Sequence, residues 1–600
     1  MDSSLHIRLS KELKESFQQA AKDNHKDTST LVRDWIADYV AEHRKTDEET
    51  AADLYVAGYR LQQELGGREQ IDKDFVKQLQ EFSLTDQKQF THRILSMYLE
   101  HDLTVLAIVQ NIFDDCSDMV YRSMEVAPGV EGLLVYVEGI VFSEELQIHM
   151  IQPIIQGLVR LKNEGDESKE QDPDLEPLEN TRVSLSQVNS ATMWGDVIEG
   201  LMNSSAVILV DGYSEAHLFN VKGGLRRTVS EPETEAVIRG PREGFTEMLR
   251  VNTALLRFKI KSPRLKMKSI VLGTETKTDV VISYIEGLAN PKMIRDVEKR
   301  LKDIEIDGIL ESGYIEEMIE DHPYSPFPQL QYTERPDTAA AQLLEGRFAI
   351  FTDGTPFVLI GPVTFFQLMQ ASEDYYERFF ITNFIRWIRY LFVFIALFLP
   401  ALYIATTTYH QDMLPSTLVL SIAAAREAIP FPALVEALIM EISFEALREA
   451  GVRLPKTVGQ AVSILGALVI GQAAVEAGIV SAPMVIIVSM TGIASFTIPR
   501  FNLAITVRLL RFPLMILAGV FGLFGIVLGT VWILVHVTQL TSFGVPYMSG
   551  ISPFHVQDNK DVFVRAPWWK MKRRPSWASK KDRVREKKEI NGTPQSNKVW

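Results

Sequence analysis

Cysteine is almost absent from this 600-residue chain. Cys116 is the one thiol, which excludes an intramolecular disulfide and any cysteine-ligated zinc or iron–sulfur centre. With Ile112 and Met119 close by, it reads as a small buried apolar side chain. Catalytic signatures are missing too: no Walker A loop, no G-x-G-x-x-G after a strand, no H-E-x-x-H and no G-x-S-x-G. An enzyme is therefore the least expected class, and no cofactor or metal is implied. The N-terminal MDSSLHIRLSKELK lacks the apolar core of a secretory signal. The region ahead of the first apolar segment is expected to stay in the cytoplasm.

A mean hydropathy near zero hides two unlike parts. Residues 1–386 hold most of the 77 acidic side chains, whereas 387–537 are nearly all apolar, with long runs free of Lys or Arg. The expected architecture is a multi-domain membrane protein, with duplicated cytoplasmic α/β subdomains followed by an α-helical transmembrane bundle at 387–538. Residues 388–408 suit a span of about 20 apolar residues. Arg378, Arg386 and Arg389 keep its start on the cytoplasmic side, and Pro400 predicts a kink. Residues 458–477, 479–498 and 512–537 predict three more spans, the last long enough to tilt. Residues 414–451 are ambiguous: Glu436, Glu441, Glu445, Arg448 and Glu449 sit among large apolar residues. Charges are costly in lipid, so a protein-covered, re-entrant or pore-adjacent element is favoured over a lipid-facing span. Arg453, Lys456, Arg500, Arg508 and Arg511 fit cytoplasmic loops if this region crosses once. The basic C-terminus then lies on the wrong side unless the SFGVPY stretch re-enters.

Along 458–477 one helical stripe, Val458, Val462, Leu465, Val469, Gln472 and Glu476, runs from apolar to polar, and the opposite face is small. In a ring of copies it would form a hydrophobic constriction leading to amides and carboxylates. The bland alternative has Gln472 and Glu476 bonded to neighbouring helices within one subunit.

The charged part contains a duplication. LLVYVEGIVFSEELQIHMIQPI resembles VVISYIEGLANPKMIRDVEKRLKDI, each a strand, a Glu-Gly pair and an amphipathic helix. SAVILVDGYSEAHLFNV resembles RFAIFTDGTPFVLIGPV, each a strand, an Asp-Gly turn and a strand. Two α/β subdomains with mixed sheets follow, at 105–225 and 226–370. The Glu-Gly and Asp-Gly pairs suit turn geometry better than acid–base chemistry. Arg226, Arg227, Arg239 and Arg242 offer an anion site, but pairing with Glu231, Glu233, Glu235 and Glu243 between subdomains or subunits is favoured.

Residues 1–48 form a separate head, joined by a helical linker at 49–104. Its strand and two helices resemble the ribbon-helix-helix family, which would place Ser4, His6 and Arg8 against DNA. An oligomerisation or partner-binding appendage fits equally well. The tail, 556–600, carries Trp568 and Trp569. Residues 560–589 hold 12 Lys/Arg against 4 Asp/Glu, a composition that suits anionic lipid or cytosol and otherwise predicts disorder.

EPETEAVIRGPREGFTE, SPFPQLQYTERPDTAAAQLLEGR, DGTPFVLIGPVTF, IPFPALVEALIMEISFEALREAGVRLPK, VGQAVSILGALVIGQAAVEAGIVSAP and SFGVPY occur in that order. Together they resemble the GerA family of bacterial spore germination proteins, specifically its A-type subunit. The head and the Trp-rich tail depart from the family pattern. The resemblance implies a nutrient-responsive complex in the spore inner membrane, with a transporter-like B subunit binding the germinant and a lipoprotein C subunit. It implies that the A-type subunit is a homo-oligomer, a pentamer, conducting monovalent cations, and it raises the pore reading of 458–477. A paired head on a five-fold ring would leave one head alone. An auxiliary channel of the same family without nutrient sensing, a non-conducting membrane scaffold and a membrane-tethered regulator are the alternatives.

Overall fold

The computed structural model describes residues 109–110, 112–127, 130–155, 188–191, 194–210, 215–223, 231–232, 234–235, 237–454, 471–554, 558–575, 577 and 585. The head and linker, including Ser4, His6 and Arg8, lie outside them.

Two five-stranded sheets share one topology. The first contains β1 (Met119–Ala127), β2 (Val130–Val137), β3 (Val188–Ala191), β4 (Ser205–Val210) and β5 (Ala216–Asn220), in the order β1-β2-β4-β5-β3. The second contains β6 (Leu265–Leu272), β7 (Thr278–Ile285), β8 (Gln331–Thr333), β9 (Phe348–Thr352) and β10 (Val358–Gly361), in the order β6-β7-β9-β10-β8. The sheets are not mixed as expected: every pairing within them is antiparallel. The glycines of both Glu-Gly pairs, Gly139 and Gly287, have φ of 88° and 80°, and Gly354 of the second Asp-Gly pair has 89°. Glycine is there because the turn needs the left-handed region.

Helix α1 (Trp194–Met202) belongs to the first unit. Helices α2 (Leu249–Lys259), α3 (Pro291–Lys302), α4 (Ser312–Ile319) and α5 (Pro336–Leu344) surround the second sheet. Asn290 caps α3 by accepting from the Lys292 amide at 3.1 Å, with Pro291 in the first turn. Alternation along each strand divides the second core. Val281, Ala349, Phe351 and Ile360 face α2 and α5, whereas Val280, Ile282, Ile350 and Leu359 face α3 and α4. The units join where Met267 of β6 bridges Cys116, beneath a buried Arg257–Asp118 pair at 2.8 Å.

The C-terminal half is helical: α6 (Phe379–Thr408), α7 (Ser416–Arg426), α8 (Ala433–Arg453), α9 (Ala482–Phe496), α10 (Phe501–Phe521) and α11 (Leu523–Gln539). Among the described residues α6 and α10 are long and apolar enough to cross a membrane; α7, α9 and α11 are shorter apolar helices. Helix α6 continues through Pro400. The ambiguous 414–451 region resolves into α7 and α8. The single span expected at 512–537 is instead two antiparallel helices that turn at Gly522, φ 61°. Gly525 and Gly529 allow the return, because a Cβ there would meet the Leu517 carbonyl oxygen at 2.1 Å or the Leu514 side chain at 2.5 Å. Arg508 and Arg511 consequently lie within α10, not in a loop.

Both ends of the bundle are fixed by contacts. At the α/β end Thr506 donates to the Pro326 carbonyl, and Ser325 meets His536 of α11 at 2.8 Å. At the far end Tyr409 donates to the Gly519 and Val520 carbonyls at 3.0 and 3.1 Å. Helix α11 therefore returns to the α/β side. SFGVPY does not re-enter the bundle. It forms a hairpin, β11 (Thr541–Ser542) and β12 (Val545–Pro546), whose Phe543 packs on Phe348 with ring centroids 4.9 Å apart. The tail keeps to that side as well. Its described part is ordered against the protein, contrary to expectation: Asp561 pairs with Arg386, and Trp577 lies under Arg347.

Candidate functional site

The bundle buries several of its charges, Glu436, Glu441 and Arg511 among them. Helix α8 is rich in Ala, Leu and Glu, all good helix formers. Helical geometry places Glu441, Glu445 and Arg448 within about 60° of one another and Glu436 on another face. Fully buried Glu436 accepts from Arg426 Nε at 3.1 Å with one oxygen. Its other oxygen takes the Ser481 amide at 3.0 Å and hydroxyl at 2.8 Å. One carboxylate thus staples α7, α8 and the start of α9 at the far end.

Nearer the middle, buried Glu441 accepts from Arg511 Nη1, and Arg511 Nε donates to the Ala396 carbonyl of α6 at 2.9 Å. Glu441 Oε1 and Arg511 Nη2 have no hydrogen-bond partner. Closer to the α/β side, Glu445 accepts from Arg448 at 3.2 Å and Arg508 at 3.0 Å. Arg448 also donates to Ser495 at 3.3 Å and covers the Phe496 ring. Each carboxylate meets a guanidinium, which offsets the cost of removing both charges from water. Glu436 and Glu441 are covered by protein, Glu445 and Arg448 partly so, and Glu449 is exposed.

Of the stripe on 458–477, Val458, Val462, Leu465 and Val469 lie outside the described residues. Gln472 and Glu476 are exposed, and Gln472 Nε2 donates to Glu476 Oε1 at 2.9 Å. Among the described residues the one side-chain hydrogen bond either makes is to the other.

Sequence reasoning missed two further clusters. Buried Asp374 accepts from Arg389 at 2.9 Å and pairs with Arg386 at 3.4 Å, while Arg386 also reaches Asp561 at 3.0 Å. These arginines, read as topogenic flanks, are tied into the protein. Glu235, expected to pair with one of Arg226, Arg227, Arg239 and Arg242 between subdomains or subunits, instead bonds Arg500 and Thr333, linking the α/β region to α10. Of the expected pairs, Arg242–Glu231 forms at 3.2 Å, whereas Arg239 reaches Glu377 and Glu243 takes Lys259. The missing signal was long-range: Glu235 and Arg500 are 265 positions apart.

A cleft of about 350 Å³ separates α4 from α10, lined by Glu316, Glu317 and Glu320 on one side and Asn502, Ile505 and Thr506 on the other. Burial, then the nearby Glu320 and Glu311 carboxylates, push Glu316 up to about 8. Among the described residues no group of three or more His, Cys, Asp or Glu gathers to hold a metal.

Comparison with known proteins adds identity to this geometry. The family described as Bacillus/Clostridium GerA spore germination protein matches residues 107–577. Uncharacterized membrane protein YfkQ of Bacillus subtilis (strain 168) is 61% identical over 488 residues, 81% of this chain and 93% of that protein. Spore germination protein KA of the same organism is 46% identical over 484 residues, 80% of this chain and 87% of that one. The N-terminal domain of the A subunit of the Bacillus megaterium spore germinant receptor GerK3 has a crystal structure. It is 36% identical and covers 43% of this chain and 94% of its own, with a TM-score of 0.34. This chain belongs to the GerA family of spore germination proteins, alongside its A-type subunits.

Proposed function

We propose that the chain is the A-type subunit of a spore germinant receptor, and that its copies form a channel releasing cations when nutrient is sensed. The bundle spans the spore inner membrane, with the α/β units (105–225 and 226–370) and the tail on the cytoplasmic side. Support comes from its inverted polarity: Phe384, Trp387, Ile486, Ile493, Phe524 and Trp532 are exposed, while Glu436, Glu441 and Arg511 are buried. Water would penalise that exposed surface, and a bilayer would not.

The observation that carries the channel reading is the outward-facing Gln472–Glu476 pair at the end of the apolar stripe. In a homo-oligomeric ring, a pentamer by family resemblance, it gives a cation-favouring mouth next to a constriction at Leu465 and Val469. Germinant bound by the B subunit, with the lipoprotein C subunit alongside, biases the closed–open equilibrium of this ring. Leu465→Ala or Val469→Ala in spores should cause ion leak or premature germination. Wild-type behaviour from both, with the protein shown to be present, would favour a non-conducting scaffold. Neighbouring genes for a transporter-like protein and a lipoprotein fit the receptor role; their absence fits an auxiliary channel.

A further inference from the structure

The ordered part of the tail wraps the first turns of α6. Arg386 Nη1 donates to the Asp561 carbonyl at 2.9 Å, Tyr390 to the Val562 carbonyl at 3.0 Å and Trp387 Nε1 to the Phe563 carbonyl at 3.1 Å. Asn383 and Arg565 exchange two bonds, the shorter 2.7 Å. Residues 383, 386, 387 and 390 share one helical face, so the tail runs along α6 as a fitted strap. Trp568 Nε1 bonds the Tyr375 carbonyl at 3.3 Å, and the Trp569 ring lies 6.0 Å from Phe379.

Its outer side is another matter. Phe563, Val564, Trp568 and Trp569 are exposed beside exposed Phe380, Phe384 and Trp387, and the apolar surface continues up α6 through Leu391 and Phe394. Lys570, Lys572 and Arg573 follow immediately, also exposed. Moving away from the bundle, the order is therefore apolar, tryptophan-bearing, cationic. A bilayer presents the same order: acyl chains, the interfacial zone favoured by tryptophan, then headgroups. A protein partner would not require the collar to be continuous with the lipid-facing flank of α6.

We propose that residues 563–573 form a collar that binds anionic phospholipid headgroups of the leaflet on the α/β side. The aromatic side chains enter the interfacial zone, and the Lys570/Lys572/Arg573 cluster selects negative charge. The proposal rests on the membrane placement of the bundle, and the two are tested separately by tryptophan fluorescence.

The full-length chain is placed in nanodiscs containing brominated phosphatidylglycerol or brominated phosphatidylcholine at equal mole fraction. The signal of Trp532 on α11 is isolated by difference with Trp532→Phe, and that of the collar by difference with Trp568→Phe/Trp569→Phe. Trp532 should be quenched equally by both lipids. The collar should be quenched about two- to five-fold more by the anionic lipid, and the preference should fade at high salt. Lys570→Gln/Lys572→Gln/Arg573→Gln should abolish the preference while leaving Trp532 quenching unchanged. Equal quenching of the collar by both lipids, with Trp532 quenched, overturns the collar alone. No quenching of Trp532 by either lipid overturns the membrane placement and the collar with it.

Discussion

The α/β region and the helical bundle are both built on apolar side chains but arrange them in opposite ways. In the sheets, Phe348, Phe351, Ile350 and Val207 are fully buried, and ion pairs such as Arg242–Glu231 lie exposed outside the core. In the bundle the outer surface is Phe384, Ile493, Phe524 and Trp532, and the interior carries Glu436, Glu441 and Arg511. Apolar burial stabilises the sheets by removing surface from water. A bundle in lipid gains little from burying leucine against leucine, so its internal contacts fall to close packing and paired charges. The two regimes meet at one seam, where Phe327, Val363 and Leu368 of the α/β side share a core with Ala494, Leu503 and Tyr547.

The contrast can be broken first at a charge pair buried inside the bundle. Arg511→Leu leaves Glu441 ionisable and unpaired and should cost about 3–5 kcal/mol, whereas replacing both partners by apolar residues should recover most of that loss. Thermal unfolding of the purified chain in detergent, read as a double-mutant cycle, tests this; equal losses in single and double variants would count against a working pair. On the second sheet, Phe543→Ala removes the hairpin's anchor on Phe348 and should cost about 3 kcal/mol. Hydrogen exchange should then rise in β9 as well as in the hairpin.

The acidic cleft gives a pH signature. Glu316 has a folded pKa of about 8 against an ordinary 4.5, so the folded state holds its proton more tightly than the unfolded one. Its contribution to stability is fully present below pH 4.5 and is lost as pH rises through 8. Glu316→Gln should flatten that part of the melting-temperature profile, and a decline of unchanged slope would assign the loss elsewhere. The smallest effect should come from the exposed Arg453–Glu449 pair on α8, where Glu449→Ala should change stability by less than about 0.5 kcal/mol. The same chemistry, differing only in burial, sharpens the comparison.

Much of this was legible locally. β2 and β7, the Asp-Gly turn before β10, the Asn290-capped α3 and the apolar α6 and α9 all carry their signals within one element. The edge strands β1, β3, β6 and β8 did not stand out: β6 alternates Lys266, Lys268 with Met267, Ser269, and β3 has four residues. Short or half-exposed strands have weak patterns. The turn at Gly522 hid inside a continuous apolar run, where glycine is ordinary, although the Gly522, Gly525, Gly529 spacing marked the close return. Of the candidate site, the charged face of α8 was readable but its partners were not, because Glu441 and Arg511 are 70 positions apart. The ordering of the tail on α6 likewise depends on Asp561 and Arg386, 175 positions apart.

Cation flux from liposomes reconstituted with the full-length chain tests the channel reading most directly. Wild-type vesicles should hold a potassium gradient, and Leu465→Ala should dissipate it at least about ten-fold faster, through a widened constriction. Leu465→Ala vesicles as tight as wild type, with the protein shown to be inserted, would contradict the account.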